Sequence, residues 1–380
     1  MTRQRKVDVA IVGAGVMGLA HAYWAAKRRR SVAVFERTPK ARGASVRNFG
    51  MIWPVGQLPG QVHQMAVHSR RIWQEVLDRA RLPYLPTGSL HVAYNADEAD
   101  VGREFVERAP GWGYDCAWLS ARKVVRKSTA VNPDGLLGAI WSPTEMTVDP
   151  RQVIAALPEF LGETLGVQFR FAAAVRSIEM PKIEAGTEVW EAEQVIVCSG
   201  DDFETLYPEL FAATEINRCK LQMMRTVPQG SGWRLGPALA AGLTLRFYPA
   251  FEICTDALPK YKARVAREMA EYDRWEIHVL VSETADGALT LGDSHEYGLA
   301  VDVFNKAEID DLVMRNARTF LRAPDLSIAQ RWYGVYARHP HQPWVTIDAA
   351  PGVRIVTAVG GSGMTLSFAL AELMVAEMGI

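Results

Sequence analysis

Residues 7–18 read VDVAIVGAGVMG, and the next apolar run, SVAVFE at 31–36, closes on Glu36. A β-branched run followed at once by Gly13, Gly15 and Gly18 predicts strand, tight turn and helix, a βαβ unit that holds the ADP half of a dinucleotide. Gly13 permits the turn, Gly15 lets the backbone approach a pyrophosphate, and Gly18 lets the helix pack close to the strand. The helix is expected from Val16 to about Arg30, with the pyrophosphate on its electropositive first turn at Val16 and Met17. Glu36 follows Gly18 by 18 residues, where a carboxylate accepts hydrogen bonds from ribose hydroxyls.

A chain of 380 residues exceeds one ordinary core, so two domains are expected, and not necessarily consecutive ones. The composition, 49% hydrophobic and 22% charged, is that of a soluble globular protein, and a net charge of −1 gives no reason to expect nucleic acid or an anionic membrane as partner. Cys116, Cys198, Cys219 and Cys254 are scattered without metal spacing, so they read as reduced and structural, and no metal site is expected. Cytoplasm is the simplest compartment. The basic start MTRQRK runs into a strand and glycine turn rather than a signal-peptide core, and no apolar stretch reaches the ~18 residues that span a bilayer.

Further along, residues 38–60, TPKARGASVRNFGMIWPVGQLPG, read as a long loop, and ordered long loops are usually functional. Helical spacing predicts a helix over 61–80, shorter ones over 97–109 and 120–127, and longer ones from Pro150 to about Leu165 and from about Lys306 to Arg322. Strands are expected at 88–95, 219–227, 243–254, 276–283 and 288–293, in a largely antiparallel sheet. Nucleotide-type segments recur in the middle (VIVCSG, 195–200) and at the end, where VRIVTAVGGSGMT leads into a terminal helix. The fold class is therefore α/β. A Rossmann-like dinucleotide-binding domain is expected from 1–84, 145–218 and 324–380, and a substrate domain with a mainly antiparallel sheet from 85–144 and 219–323.

In sum of motifs and order, the chain resembles the FAD-dependent D-amino-acid oxidase superfamily, nearest its glycine oxidase and sarcosine oxidase branch. The pieces are VGAGVMG, Glu36-Arg37, the GASVRNFG loop at 43–50, VIVCSG, RWYGVYARHP at 331–340 and GGSGMT at 360–365. The resemblance implies that Gly43, Ala44, Ser45, Arg47 and Asn48 lie along the flavin, that Val175, Ser199 and Gly200 complete the nucleotide site, and that Gly334 borders the ring. Gly361, Ser362, Gly363, Met364 and Thr365 would then place backbone amides at the pyrimidine edge. NAD is the competing cofactor for the βαβ unit alone, but a simple NAD-linked dehydrogenase has no need of the closing glycine turn. The flavin is expected to be non-covalent, since Val46 and the GGSGM run offer neither histidine nor cysteine for a tether.

The chemistry so implied is oxidation of a small amine to an imine and then a carbonyl, with O2 as acceptor and no obligatory acid–base side chain. Two positions depart from the branch. Where glycine oxidases grip a carboxylate with the arginine of W-x-G-x-R, this chain has Tyr336; where sarcosine oxidases place a lysine in the closing turn, it has Thr365. Candidates for a different anion site are Tyr336, Arg338, Arg47, Arg246, Tyr248 and His295, with His339 and His341 close by and Trp53 and Trp344 as possible pocket walls. ASVRNFGMIWPVGQ and Tyr336 are similar to a branch associated with aminophosphonate catabolism, which implies 2-aminoethylphosphonate or its N-methyl form, giving phosphonoacetaldehyde. Alternatives are a glycine- or sarcosine-type oxidase, a flavin dehydrogenase passing electrons to a carrier, or a flavin-binding protein without turnover. Thr290 stands at a position where sarcosine oxidases keep a lysine that promotes oxygen reduction, which keeps the dehydrogenase alternative open.

Overall fold

The computed structural model describes residues 5–230 and 232–380. Strand β1 (Arg5–Val12), helix α1 (Val16–Lys27) and strand β2 (Val32–Phe35) form the expected βαβ unit, with the two strands parallel. On its other edge β1 pairs parallel with Glu188–Val197, which in turn pairs parallel with Val353–Thr357, while Gln168–Arg170 extends the sheet beyond β2. Three segments far apart in sequence thus build one parallel core. Its strands are apolar on both faces because both are covered, one by helices and the other by the hairpin Val175–Glu179 and Lys182–Ala185 with Phe203, Leu206 and Phe211.

Two helices seal one face of this sheet. Both α1 and the terminal helix Gly363–Glu377 are buried on nearly every side; they pack against each other, the terminal helix also on Gln61–Ala80 and α1 on Pro150–Leu165. Helix α1 stops three residues short of the expected Arg30. Arg28, Arg29 and Arg30 offer no apolar side chain to continue the buried surface, and Arg29 turns the chain with φ 64°.

The second sheet has nine strands and is antiparallel except where Ala238–Ala240 meets Ser89–Ala93. Two expectations fail here. Residues 243–254 form no strand but two 3-10 turns, Gly242–Arg246 and Pro249–Ile253, because Pro249 lacks an amide for a ladder and Thr244 closes back on the Ala241 carbonyl. The strand Ile328–Arg338, expected on the nucleotide side of a boundary at 324, instead pairs along Asn217–Thr226 in the second sheet. It then returns to the nucleotide core through a bridge from Arg338 to Val359. The helices expected over 61–80, 97–109, 120–127, 150–165 and 306–322 are found at Gln61–Ala80, Ala96–Arg108, Ala121–Lys127, Pro150–Leu165 and Ala307–Phe320. No helix among the described residues is long and apolar enough to cross a membrane.

The glycine turn is fixed by contact as much as by conformation. A Cβ on Gly18 would lie 1.9 Å from the Gly13 carbonyl oxygen, and one on Gly13, at φ +100°, would lie 2.4 Å from the Cys198 carbonyl oxygen. Gly18→Ala is therefore expected to destabilise the protein by about 1–3 kcal/mol, the range for overpacking a rigid contact. Gly43, with nothing near its Cβ position, is the matched control. Thermal melts followed by circular dichroism should show a lowered Tm for Gly18→Ala and an unchanged one for Gly43→Ala.

Candidate functional site

Between the C-terminal ends of the parallel strands and the second sheet lies a cavity of about 830 Å³. Its nucleotide end is made of two helix starts. Gly363 faces Val16, whose Cγ1 is 3.9 Å from the glycine's Cβ position, so the first turns of the terminal helix and α1 open on the same space. Neither Ser362 nor Gly15 caps its helix with a side chain. Two electropositive helix ends on one cavity favour an anionic or electron-rich group there.

The loop from Ala44 to Phe49 forms the adjoining wall. Ser45 Oγ accepts the Val16 amide at 2.9 Å, and a Cβ on Gly15 would sit 3.0 Å from that oxygen, so Gly15 also makes room for Ser45. Asn48 is spent within the loop, donating to the Ala44 carbonyl at 2.9 Å and accepting the Gly50 amide at 2.7 Å. Arg47 donates to the Tyr333 carbonyl at 3.4 Å, and its own carbonyl accepts the Trp332 indole at 3.1 Å. On the facing strand Gly334 lies against Leu221 and the Arg47 carbonyl. Thr365 accepts the Trp53 amide at 2.9 Å, and the Met364 carbonyl takes the Trp73 indole at 2.7 Å, which tie the closing turn to the loop and to the helix Gln61–Ala80.

The remaining predicted nucleotide residues line no part of this cavity. Glu36, at the tip of β2, accepts the Ala14 amide at 3.1 Å and the Thr38 amide and hydroxyl at 3.0 and 2.7 Å. Its carboxylate is thereby oriented beside the glycine turn with acceptor capacity to spare. Arg37 pairs with Asp202 at 2.7 Å, Ser199 donates to the Asp202 carbonyl, and the Gly200 carbonyl accepts Thr357. Val175 is buried in the antiparallel hairpin that extends the sheet.

All six anion candidates line this one cavity, Arg47 from the loop and the other five from the side of the second sheet. Tyr336, Arg338, Arg47, Arg246, Tyr248 and His295 line it together with His339, whereas His341 and Trp344 do not. Tyr336 sits opposite Cys219 on the ladder and points its hydroxyl at the closing turn, 3.6 Å from the Gly361 Cβ position. Arg338 stacks on Tyr297 at 4.4 Å and makes no ion pair among the described residues. Arg246 is fixed by the Tyr272 and Ile277 carbonyls at 3.3 and 3.0 Å and by Asp273 at 3.3 Å, leaving its buried Nε without a partner. Thr290 is buried within the sheet, opposite Ser282, away from the wall.

Sequence reasoning missed Asp293, His278, Glu276 and Tyr297 on the same wall. The available signal was polar residues set in apolar strand ends, His278 in EIHVL and Asp293 with His295 in LGDSH. Burial pushes the Asp293 carboxyl well above the usual range and both imidazoles down, His295 to about 4, with Arg246 adding to the effect on both. His278, Asp293 and His295 each offer a ligand atom, all within 4.8 Å of one another. The two guanidiniums acting on this set oppose a divalent cation there.

A protein-family model described as FAD dependent oxidoreductase, DAO, matches residues 8–377. Glycine oxidase of Geobacillus kaustophilus (strain HTA426) is 28% identical over 160 residues, 40% of this chain and 42% of that protein. A solved glycine oxidase from Geobacillus kaustophilus superposes with TM-score 0.76 at 19% identity, over 99% of this chain and 95% of that one. Glycerol 3-phosphate dehydrogenase of Caloramator mitchellensis is 22% identical over 380 residues, 95% of this chain and 71% of that protein. L-proline dehydrogenase from P. horikoshii superposes with TM-score 0.78 at 16% identity, covering 99% and 95% of the two chains.

Residues and cofactor fit. The two helix starts, the glycine turn and the carboxylate at the tip of β2 are of the kind FAD requires, and would serve its flavin, pyrophosphate and ribose. Glu36→Arg should therefore strip the protein of flavin, because a donor-only cation leaves ribose hydroxyls unpaired. Absorbance at the flavin band after exhaustive dialysis checks this, with occupancy expected to fall well below the parent's. Acid precipitation of the parent should release all yellow colour into the supernatant, as non-covalent binding requires.

Proposed function

The chain belongs to the DAO family of FAD-dependent oxidoreductases, and on that premise we propose that its cavity oxidises a small amine carrying a phosphonate at its other end. The favoured substrate is 2-aminoethylphosphonate or its N-methyl form, giving phosphonoacetaldehyde with ammonia or methylamine, and O2 is the proposed acceptor, forming hydrogen peroxide. The observation that carries the reading is the convergence of Arg47, Arg246 and Arg338 with Tyr336 on one cavity, Arg338 having no carboxylate partner among the described residues. A carboxylate is satisfied by one guanidinium fork. A phosphonate has three acceptor oxygens and up to two charges, which suits several donors arriving from a strand, a turn and a loop.

When bound, FAD supplies the hydride acceptor. The chain's own part is to hold the anion with Arg338, Tyr336 and Arg246 and so aim the amine-bearing carbon at the closing turn, where the Gly361–Thr365 backbone lies. A second reading has its own support. The Caloramator mitchellensis relative is named for a phosphate ester without an amine and matches 95% of this chain, so glycerol 3-phosphate belongs in any substrate panel.

Anaerobic titration of the yellow protein against aminophosphonates, glycine, sarcosine, N-methyl amino acids and glycerol 3-phosphate tests the proposal through bleaching of the flavin band. An aminoethylphosphonate is expected to bleach fastest and, in air, to yield peroxide; faster bleaching by glycine, sarcosine or glycerol 3-phosphate overturns the reading. Arg338→Ala and Tyr336→Phe should each lower kcat/KM for the phosphonate, the arginine change by roughly 30- to 1000-fold, the loss of about 2–4 kcal/mol expected when a buried charged contact goes.

A further inference from the structure

The cavity wall carries three carboxylates, and two of them are occupied. Asp273 pairs with Arg246, and Glu276 accepts the Tyr297 hydroxyl at 2.6 Å. Asp293 is different. Its Oδ1 is buried and hydrogen-bonded to nothing, although His278 Nε2 lies only 3.3 Å away, out of alignment, and both nitrogens of His278 are unpartnered as well. The His278 ring packs against Phe247, tilted at 4.0 Å, and stacks on His295 at 5.0 Å, the three rings forming one cluster. Buried acceptors with no partner are costly, and they mark a place where a ligand donates.

We propose, resting on the amine-oxidation reading, that Asp293 accepts the proton of the substrate's ammonium, with His278 receiving the resulting O–H. In this step the N–H bond breaks and its electron pair stays on nitrogen, while an O–H bond forms on Asp293 Oδ1. An ammonium and a carboxylate become a neutral amine and a neutral acid. The nitrogen lone pair is then free to form C=N as the α-hydrogen leaves as hydride to the acceptor that FAD supplies. Water would keep the proton on nitrogen by solvating both ions, but a buried wall removes that hydration and favours the neutral pair. His278 Nε2, as a neutral imidazole, is an acceptor at the right side of the carboxyl. The titratable and charged groups around the pair are Tyr248, Tyr336, Cys219, His295 and Arg246. None is a second carboxylate.

Stopped-flow bleaching of the anaerobic holoenzyme, with whichever amine of the panel reduces it, gives the test. In the parent the rate should fall on acidification as the Asp293 carboxylate is lost, at a pH above the ordinary carboxylate range because the group is buried, and level off at higher pH. Asp293→Asn should lose that acidic limb, fall at least 100-fold at neutral pH, and then climb about tenfold per pH unit as free amine accumulates in solution. A readout without turnover accompanies it, the flavin spectral shift on binding ligands that cannot be oxidised. Ethylphosphonate, which has no amine, should bind parent and variant alike, whereas an aminophosphonate lacking an α-hydrogen should bind the variant more tightly as pH rises and the parent with no such trend. His278→Gln, expected to displace the acidic limb, provides the same readings should Asp293→Asn lose its flavin. An unchanged pH profile in the variants, or a loss equal at every pH, overturns the assignment. Failure of every amine to bleach the parent overturns instead the functional reading on which it rests.

Discussion

Everything in this molecule depends on two helices beginning at the same place. Helix α1 and the terminal helix lie hundreds of residues apart in sequence, yet their first turns meet where Val16 touches Gly363. Each first turn leaves amide groups that its own helix cannot satisfy. Ser45 Oγ takes the Val16 amide, and an electron-rich ligand over the two ends would satisfy others, so the packing of α1 on the terminal helix and the binding of a dinucleotide support each other. The glycines serve it at close range. Gly18 sets how near α1 can come to its strand, and Gly13 sets how near the turn can come to the strand ending at Cys198.

The second consequence is that the substrate wall cannot be independent of the cofactor wall. The strand Ile328–Arg338 is hydrogen-bonded along Asn217–Thr226 in one sheet and bridges to Val359 next to the other. Gly334 faces the flavin loop, Tyr336 the closing turn, and Arg338 the Tyr297 ring, at steps of two along a single strand. Alternation on a strand puts residues i, i+2 and i+4 on one face, so this one element lays out a line from cofactor to anion site. A shift of one residue would turn that whole line away from the cavity.

Much of this was legible in the sequence because local chemistry dictates it. The strand, glycine turn and acid of the first unit, the helices of strong period, and the closing turn all announce themselves within windows of about 10–20 residues. What was not legible lies in tertiary placement. Residues 243–254 alternate like a strand, but a proline and a threonine that closes on the backbone fold them into turns that carry Arg246, Phe247 and Tyr248 to the wall. Ile328–Arg338 has a strand's pattern, yet nothing in that pattern says which sheet receives it. Asp293 and His278 lie on either side of one hairpin, and only the pairing of its strands brings them within 3.3 Å.

The electrostatics of the wall make the two ends of the cavity interdependent. Arg246 is held chiefly by carbonyl oxygens, which satisfy its hydrogen bonds without cancelling its charge, and its one acidic partner, Asp273, is half exposed and so weakly felt. Arg338 rests on an aromatic face, which likewise leaves its charge intact. Two uncancelled guanidiniums give the cavity a positive field that attracts an anion. The same field, added to burial, keeps His278 and His295 neutral, and a neutral imidazole has a lone pair to offer where an imidazolium has none. Filling the anion site would relax that field, and the surrounding burial then decides where a nearby proton rests. On the proposed reading, an anionic group at Arg338 and an amine at Asp293 are complementary demands of one charge distribution, and a substrate carrying both would satisfy it better than either group alone.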